Sequence, residues 1–203
     1  MPPAQQPTYL RPYLAAAEKY GAGFGTLLWA SPRTQAARFK ALLRAIDING
    51  KTVLDVGCGR ADFLEHMLKH RAIPRSYIGL EAVKDLAVAA AVKRFPNCQI
   101  ICGDFVQNPE LLEMNADVLF YSGSLNTMDR DDFFNCLRGG FTAAKQAVVF
   151  NFLASATLAA APHLAWYHRD EIDAFARTLS SRVKLWDDYL PGDCTVAMWK
   201  DQP

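Results

Sequence analysis

Residues Lys51–Leu64 read KTVLDVGCGRADFL, and the rest of the chain is organised around them. Thr52, Val53, Leu54 and Val56 are the β-branched and apolar residues of a strand covered on both faces. Asp55 interrupts that run, and Gly57 and Gly59 let the backbone turn sharply. Ala61, Phe63, Leu64, Met67 and Leu68 then recur at helical spacing. A strand with an acid near its end, a Gly-x-Gly turn and a helix N-terminus together suit a nucleotide-like ligand.

Working outward, the same pattern repeats. SYIGLE, Ser76–Glu81, is a short apolar strand ending in an acid, and an alanine-rich helix is expected from Val83 to Phe95, stopped by Pro96. CQIIC, Cys98–Cys102, is a third strand with Gly103, Asp104 and Phe105 directly behind it. A short helix around Pro109–Met114 leads to a fourth strand, Ala116–Tyr121, and the polar loop SGSLNT. Asp129 caps a helix carrying Phe133, Phe134 and Leu137, and Ala147–Leu153 is a fifth strand. Strands alternating with helices in this way predict a doubly wound parallel sheet with helices on both faces. After an amphipathic helix over Asp170–Ser181, Arg182–Tyr189 and Cys194–Lys200 read as strands joined by the turn LPGD. So short a connection forces antiparallel pairing, which makes the expected α/β sheet seven-stranded with its terminal strand reversed.

Upstream, Met1–Pro12 is rich in Pro and Gln and is expected to be poorly ordered, followed by a short helix over Tyr13–Tyr20. YGAGFGTLLWAS, with Gly21, Gly23 and Gly25 among aromatic residues, is a candidate lid. Ser31 and Pro32 open a helix with the apolar stripe Phe39, Leu42, Leu43, Ile46 and with Gln35 and Arg38 on its polar side. The expected organisation is an N-terminal extension, 1–30, and a ligand-binding domain, 31–203.

Composition narrows the function. With 203 residues, 51% of them hydrophobic, the chain can bury one sizeable core. The formal net charge of +1 gives no basic face for phosphate neutralisation, so a nucleic-acid partner is disfavoured. The five cysteines contain no C-x-x-C pair and suit reduced thiols in a cytoplasmic setting. No signal-peptide core or membrane-length apolar run is present, so no membrane partner is expected. His66 and His70, at i and i+4, lack a third ligand and are read as a surface pair, so no metal site is expected.

Over about residues 31–200 the sequence resembles the class I S-adenosylmethionine (SAM) dependent methyltransferases. VLDVGCGRADF looks like the family's first motif, Glu81 matches the acid that holds the ribose hydroxyls, and Asp104, after Gly103, matches the acid receiving the adenine amino group. The closing hairpin is similar to the family's reversed terminal strand. The sequence departs from the motif at Ala61, where a third glycine is common, and alanine is small enough for close helix–strand packing. The resemblance implies a Rossmann-like methyltransferase fold and SAM as cofactor. It implies Asp55, Gly57, Gly59, Glu81, Asp104, Phe105 and Ser122 as cofactor-binding residues, with Gln35 and Arg38 as additional candidates for the cofactor carboxylate.

SAM brings an electrophilic methyl group, so the protein has to place an acceptor in line with it and exclude water. Ser124, Asn126, Asn151 and Trp166 are candidates for acceptor binding, and His163 or His168 for a general base. The SGSL loop differs from the Asn-Pro-Pro-Tyr type found in nucleic-acid amino-methylating relatives, and a small-molecule acceptor is expected ahead of a protein one. Two alternatives share the fold signals: an NAD(P)-dependent oxidoreductase, and a non-catalytic SAM-binding or scaffold protein.

Overall fold

Apolar runs bounded by glycine, proline and strand-end acids produce a central sheet in the computed structural model, which describes residues 6–201. The strands are β1 (Thr52–Val56), β2 (Ser76–Glu81), β3 (Cys98–Cys102), β4 (Val118–Tyr121), β5 (Ala147–Leu153), β6 (Arg182–Trp186) and β7 (Asp193–Trp199). They lie in the order β3-β2-β1-β4-β5-β7-β6. Neighbours from β3 through β5 pair in parallel, and β7 runs antiparallel to both β5 and β6.

The helices are α1 (Arg11–Tyr20), α2 (Pro32–Ala45), α3 (Asp62–Lys69), α4 (Lys84–Ala91), α5 (Arg130–Ala143) and α6 (Arg169–Leu179). Ser31 caps α2 in a reciprocal box with Thr34, and Asp129 caps α5 through the Asp132 amide. β1, β4 and β5 are buried almost throughout, because apolar clusters cover the sheet on both faces. One face packs Phe39, Leu42, Phe63 and Met67 from α2 and α3; the other packs Phe133, Leu137, Ile172 and Ala176 from α5 and α6.

The structure corrects several sequence expectations. α4 stops at Ala91, four residues short of Phe95, because Arg94 and Asn97 both turn left-handed before β3. The segment at Pro109 is a single 3-10 turn, Pro109–Leu112. β6 ends at Trp186 rather than Tyr189. Of the segment expected to be poorly ordered, Met1–Gln5 lie outside the described residues. Tyr9 is buried, however, and α1 already starts at Arg11, since an aromatic ring can dock in the core from a proline-rich segment. Among the described residues no helix is long and apolar enough to cross a membrane.

Candidate functional site

The consecutive strand ends of β1, β2, β3 and β4 open into one cleft holding about 970 Å³ of empty space, open solvent at its mouth included. That is the edge of an open α/β sheet where strand order reverses, between β1 and β4. Every cofactor candidate borders it: Gln35, Arg38, Asp55, Gly57, Gly59, Glu81, Asp104, Phe105 and Ser122.

The glycine turn is held from β2. The amides of Gly57 and Cys58 donate to the Leu80 carbonyl at 2.8 and 3.0 Å. Gly57 has φ 77°, and a Cβ there would stand 2.3 Å from Cβ of Ser124. Gly59 has φ 57°, and Leu27 of the 3-10 turn Phe24–Leu27 lies where its Cβ would point. Ala61, in the place of the third glycine, is also left-handed at φ 57°. The motif's glycine there is thus a conformational matter as well as one of bulk, and alanine accepts the strain of about 1–2 kcal/mol.

Glu81 is buried, and both of its oxygens face backbone donors. Oε2 accepts from the Gly59 amide at 2.7 Å and Oε1 from the Val83 amide at 2.8 Å. Burial raises its pKa, while the amides of Val83, Gly59 and Ala82 oppose the rise. Asp55 lies deeper. Tyr77 donates to its Oδ2, and its Oδ1 is buried without a partner. Burial pushes its pKa up to about 7, against the Tyr77 hydrogen bond, and nearby Glu81 and Asp62 add to the rise.

Asp104 serves the turn and the cleft at once. Its Oδ1 accepts from the Val106 amide at 3.0 Å, and its Oδ2 accepts from the Tyr9 hydroxyl at 2.8 Å. Phe105 is buried beside Tyr121. Tyr9, Leu10, Tyr13, Leu27, Leu28 and Trp29 line the cleft from the N-terminal side, so the segment read as an extension forms one of its walls. The hydroxyl of buried Thr26 ties that wall together by donating to the Gly21 carbonyl at 2.6 Å.

Similarities to solved structures follow this geometry. The DhpI complex with S-adenosylhomocysteine (SAH) superposes with a TM-score of 0.69 at 16% identity, over 97% of this chain and 96% of that one. A SAM dependent methyltransferase from Archaeoglobus fulgidus gives 0.67 at 17% identity, over 93% and 99% of the two chains. Magnesium protoporphyrin IX methyltransferase from Synechocystis with bound SAH gives 0.63 at 11%, over 83% of each. The fold is that of the class I SAM-dependent methyltransferases. No protein-family model and no curated protein matches the sequence.

The residues present fit the cofactor that this methyltransferase fold implies. The orphaned Asp55 Oδ1 calls for a donor, and Gly57 and Gly59 border the cleft with bare backbone. Glu81 retains lone pairs for further donors, since each carboxylate oxygen can accept twice.

The acceptor candidates divide. Ser124 and Asn126 border the cleft. The Ser124 hydroxyl is committed to the Val56 carbonyl at 2.6 Å, whereas the Asn126 side chain makes no hydrogen bond to another described residue. Asn151 is fully buried between strands, donating to the Thr195 hydroxyl at 2.7 Å, and does not reach the cleft. His163 is exposed and away from it. Trp166 and His168 stack edge-on in a separate shallow hollow with Arg130 and Glu171, for the chain turns outward between β5 and α6. His66 and His70 pack ring on ring at 4.3 Å, and among the described residues no three metal-ligating side chains gather.

Sequence reasoning missed Tyr9, Arg60, Tyr77 and Asp193. Arg60 sits inside the glycine turn, a visible signal; its Nη2 donates to Asp62 at 2.8 Å and its Nε is buried without a partner. Asp193 belongs to LPGD and reads as a turn residue. Its carboxylate is buried and paired with Arg38, which no local pattern foretells.

Proposed function

We infer that the protein is a SAM-dependent methyltransferase acting on a small-molecule acceptor. What supports this reading is the convergence of Asp55, Gly57, Gly59, Glu81 and Asp104 on one cleft of the methyltransferase fold. The cofactor, when bound, supplies the electrophilic methyl group, and the chain's own residues bind, orient and enclose.

In this reading Glu81 accepts the ribose hydroxyls, its orientation set in advance by the Gly59 and Val83 amides. Asp104 accepts the adenine amino group next to Tyr9, and Phe105 packs behind it. Asp55 faces the cofactor ammonium with its unpartnered oxygen. The wall from Tyr9 to Trp29 excludes water above the donor, which is how a lid over this cleft would serve the reaction. The cofactor candidates and Ser124, Asn126 and the wall from Tyr9 to Trp29 border the same cleft, so in this reading donor and acceptor share it.

Calorimetric titration with SAH, followed by transfer of label from SAM into fractionated cell extract, tests the reading. Saturable SAH binding with label in the low-mass fraction is expected. Saturable NAD(P) binding without SAH binding would replace it with an oxidoreductase. SAH binding with no transfer to any fraction would favour a binding protein, and label in polypeptide would favour a protein acceptor.

Asp55 adds a pH dependence. The fold prefers its neutral form, so this group's contribution to stability is complete below the unfolded value near 4 and is lost as pH rises towards about 7. A neighbouring ammonium reverses the preference and favours the carboxylate. SAH affinity is therefore expected to rise several-fold, up to about tenfold, from roughly pH 6 to pH 8. 5′-Methylthioadenosine, which lacks the amino acid part, should show no such rise, and Asp55→Asn should abolish it for SAH. Parallel pH profiles for the two ligands would refute the assignment.

A further inference from the structure

Arg38 borders the cleft, yet it is anchored far from the glycine turn. Its Nε donates to Oδ2 of Asp193, and its Nη2 pairs with the same oxygen. Asp193 opens β7, opposite Leu153 of β5. With strands spaced about 4.8 Å, its partner lies roughly 10 Å beyond β4 and about 15 Å beyond β1, whose end carries the glycine turn. Gln35, one turn earlier on α2, leans the other way and reaches Asp62 beside that turn at 3.5 Å.

The anchor is built from several buried groups. Oδ1 of Asp193 accepts from the Tyr189 hydroxyl, which in turn accepts from Thr195 at 2.8 Å. Thr195 accepts from Asn151, whose Oδ1 accepts from Ser122 at the cleft edge at 3.5 Å. Burying a charged pair costs free energy, and this one is held by further polar side chains where apolar packing would suffice for stability. Its effect is to fix a guanidinium. Cζ of Arg38 lies 4.9 Å from the centroid of the Trp29 ring, and Nη1 makes no hydrogen bond to a described residue. That nitrogen points to Gly123, 3.5 Å from where a Cβ would stand. The Trp29 ring lies nearer still, 3.2 Å from the same point, so Nη1, Gly123 and Trp29 meet at one place on the cleft border. Tyr13, Met128 and Leu164 line the same cleft.

Resting on the methyltransferase reading, we propose that Arg38, positioned by Asp193 and backed by Trp29, is the recognition site for a carboxylate carried by a planar, largely apolar acceptor. Arg38 thereby belongs to the acceptor half of the cleft rather than to the cofactor carboxylate. A fixed Arg edge recognises a carboxylate oxygen through a charge-assisted hydrogen bond, and the aromatic wall accommodates a flat ring. Asp193 is a positioning residue: it touches no ligand and sets the direction of Nη1.

The test uses the full chain saturated with SAH and titrated with 4-hydroxybenzoate and its neutral isostere 4-hydroxybenzamide. The carboxylate is expected to bind at least tenfold tighter than the amide. Arg38→Gln should erase that preference while SAH affinity changes less than threefold. Arg38→Gln leaves Asp193 buried without its partner, so the double variant Arg38→Gln/Asp193→Asn provides a neutral pair that keeps the fold. Asp193→Asn alone should reduce the preference without removing the charge. Equal binding of acid and amide, or binding of neither, overturns the proposal. So does an Arg38→Gln variant that loses SAH affinity but keeps that for 5′-methylthioadenosine, since Arg38 would then serve the cofactor carboxylate. Failure of the wild-type protein to bind SAH is a separate result and removes the methyltransferase reading beneath it.

Discussion

Replacing Gly57 with alanine is expected to abolish measurable SAH binding and to lower Tm on the order of 10 °C. The new Cβ would stand 2.3 Å from Cβ of Ser124, well inside contact distance, and the residue would keep φ 77°. Left-handed backbone costs a non-glycine residue about 1–2 kcal/mol, and overpacking a tight site roughly 1–3 kcal/mol more. The backbone must shift, and the amides of Gly57 and Cys58 then leave the Leu80 carbonyl. Adding Ser124→Gly should return the part of Tm lost to overlap, but not the part lost to strain. Thermal unfolding and SAH titration of the two variants check this. Wild-type SAH affinity in Gly57→Ala would show that the turn is not the cofactor floor.

Glu81→Ala is expected to weaken SAH binding about 100-fold. Two hydrogen bonds from ribose hydroxyls to a carboxylate, at roughly 1.5 kcal/mol each, sum to about 3 kcal/mol. The loss should be equal for 5′-methylthioadenosine, which retains the ribose, and this separates Glu81 from Asp55 in the same assay. Stability is expected to change little. Releasing the Gly59 and Val83 amides is destabilising, and removing a buried carboxylate whose pKa burial has raised is stabilising. Glu81→Gln should lie between, since an amide keeps one acceptor but turns a donor towards a backbone N–H. Unchanged affinity for both ligands would remove Glu81 from the site.

The part of the cleft proposed to hold the cofactor was legible as a cluster because its determinants are local. A left-handed turn selects glycine at Gly57 and Gly59 whatever lies around it, and a parallel strand end delivers Glu81 and Asp104 to the same edge by topology. Even here the surroundings were hidden. Asp104 also reads as a turn former, and it acts as one through its Oδ1 while Tyr9, 95 residues earlier, occupies its Oδ2. Nothing in a Pro- and Gln-rich segment signals that its tyrosine will be buried in a cleft wall.

The surroundings of the acceptor candidates were not legible. Asn151 lies near the end of a strand and Trp166 beyond it, but the sheet holds Asn151 in register with Thr195, and Trp166 and His168 line a separate hollow. LPGD announces a turn correctly and says nothing of Asp193 meeting Arg38 across 155 residues.

By itself, then, the sequence of this protein determined the alternation of strands and helices, the reversed last strand and the glycine turn with its following acids. Each of these depends on backbone conformation and on periodicities of a few residues. Only the tertiary structure decided which side chains share a buried volume: Tyr77 with Asp55, Tyr9 with Asp104, and Arg38 with Asp193 over Trp29. Those pairings arise from the strand order, from the burial of Tyr9 and from the packing of α2 against β5 and β7. They join residues far apart in the chain, whose chemistry is ordinary until burial removes water as the competing partner.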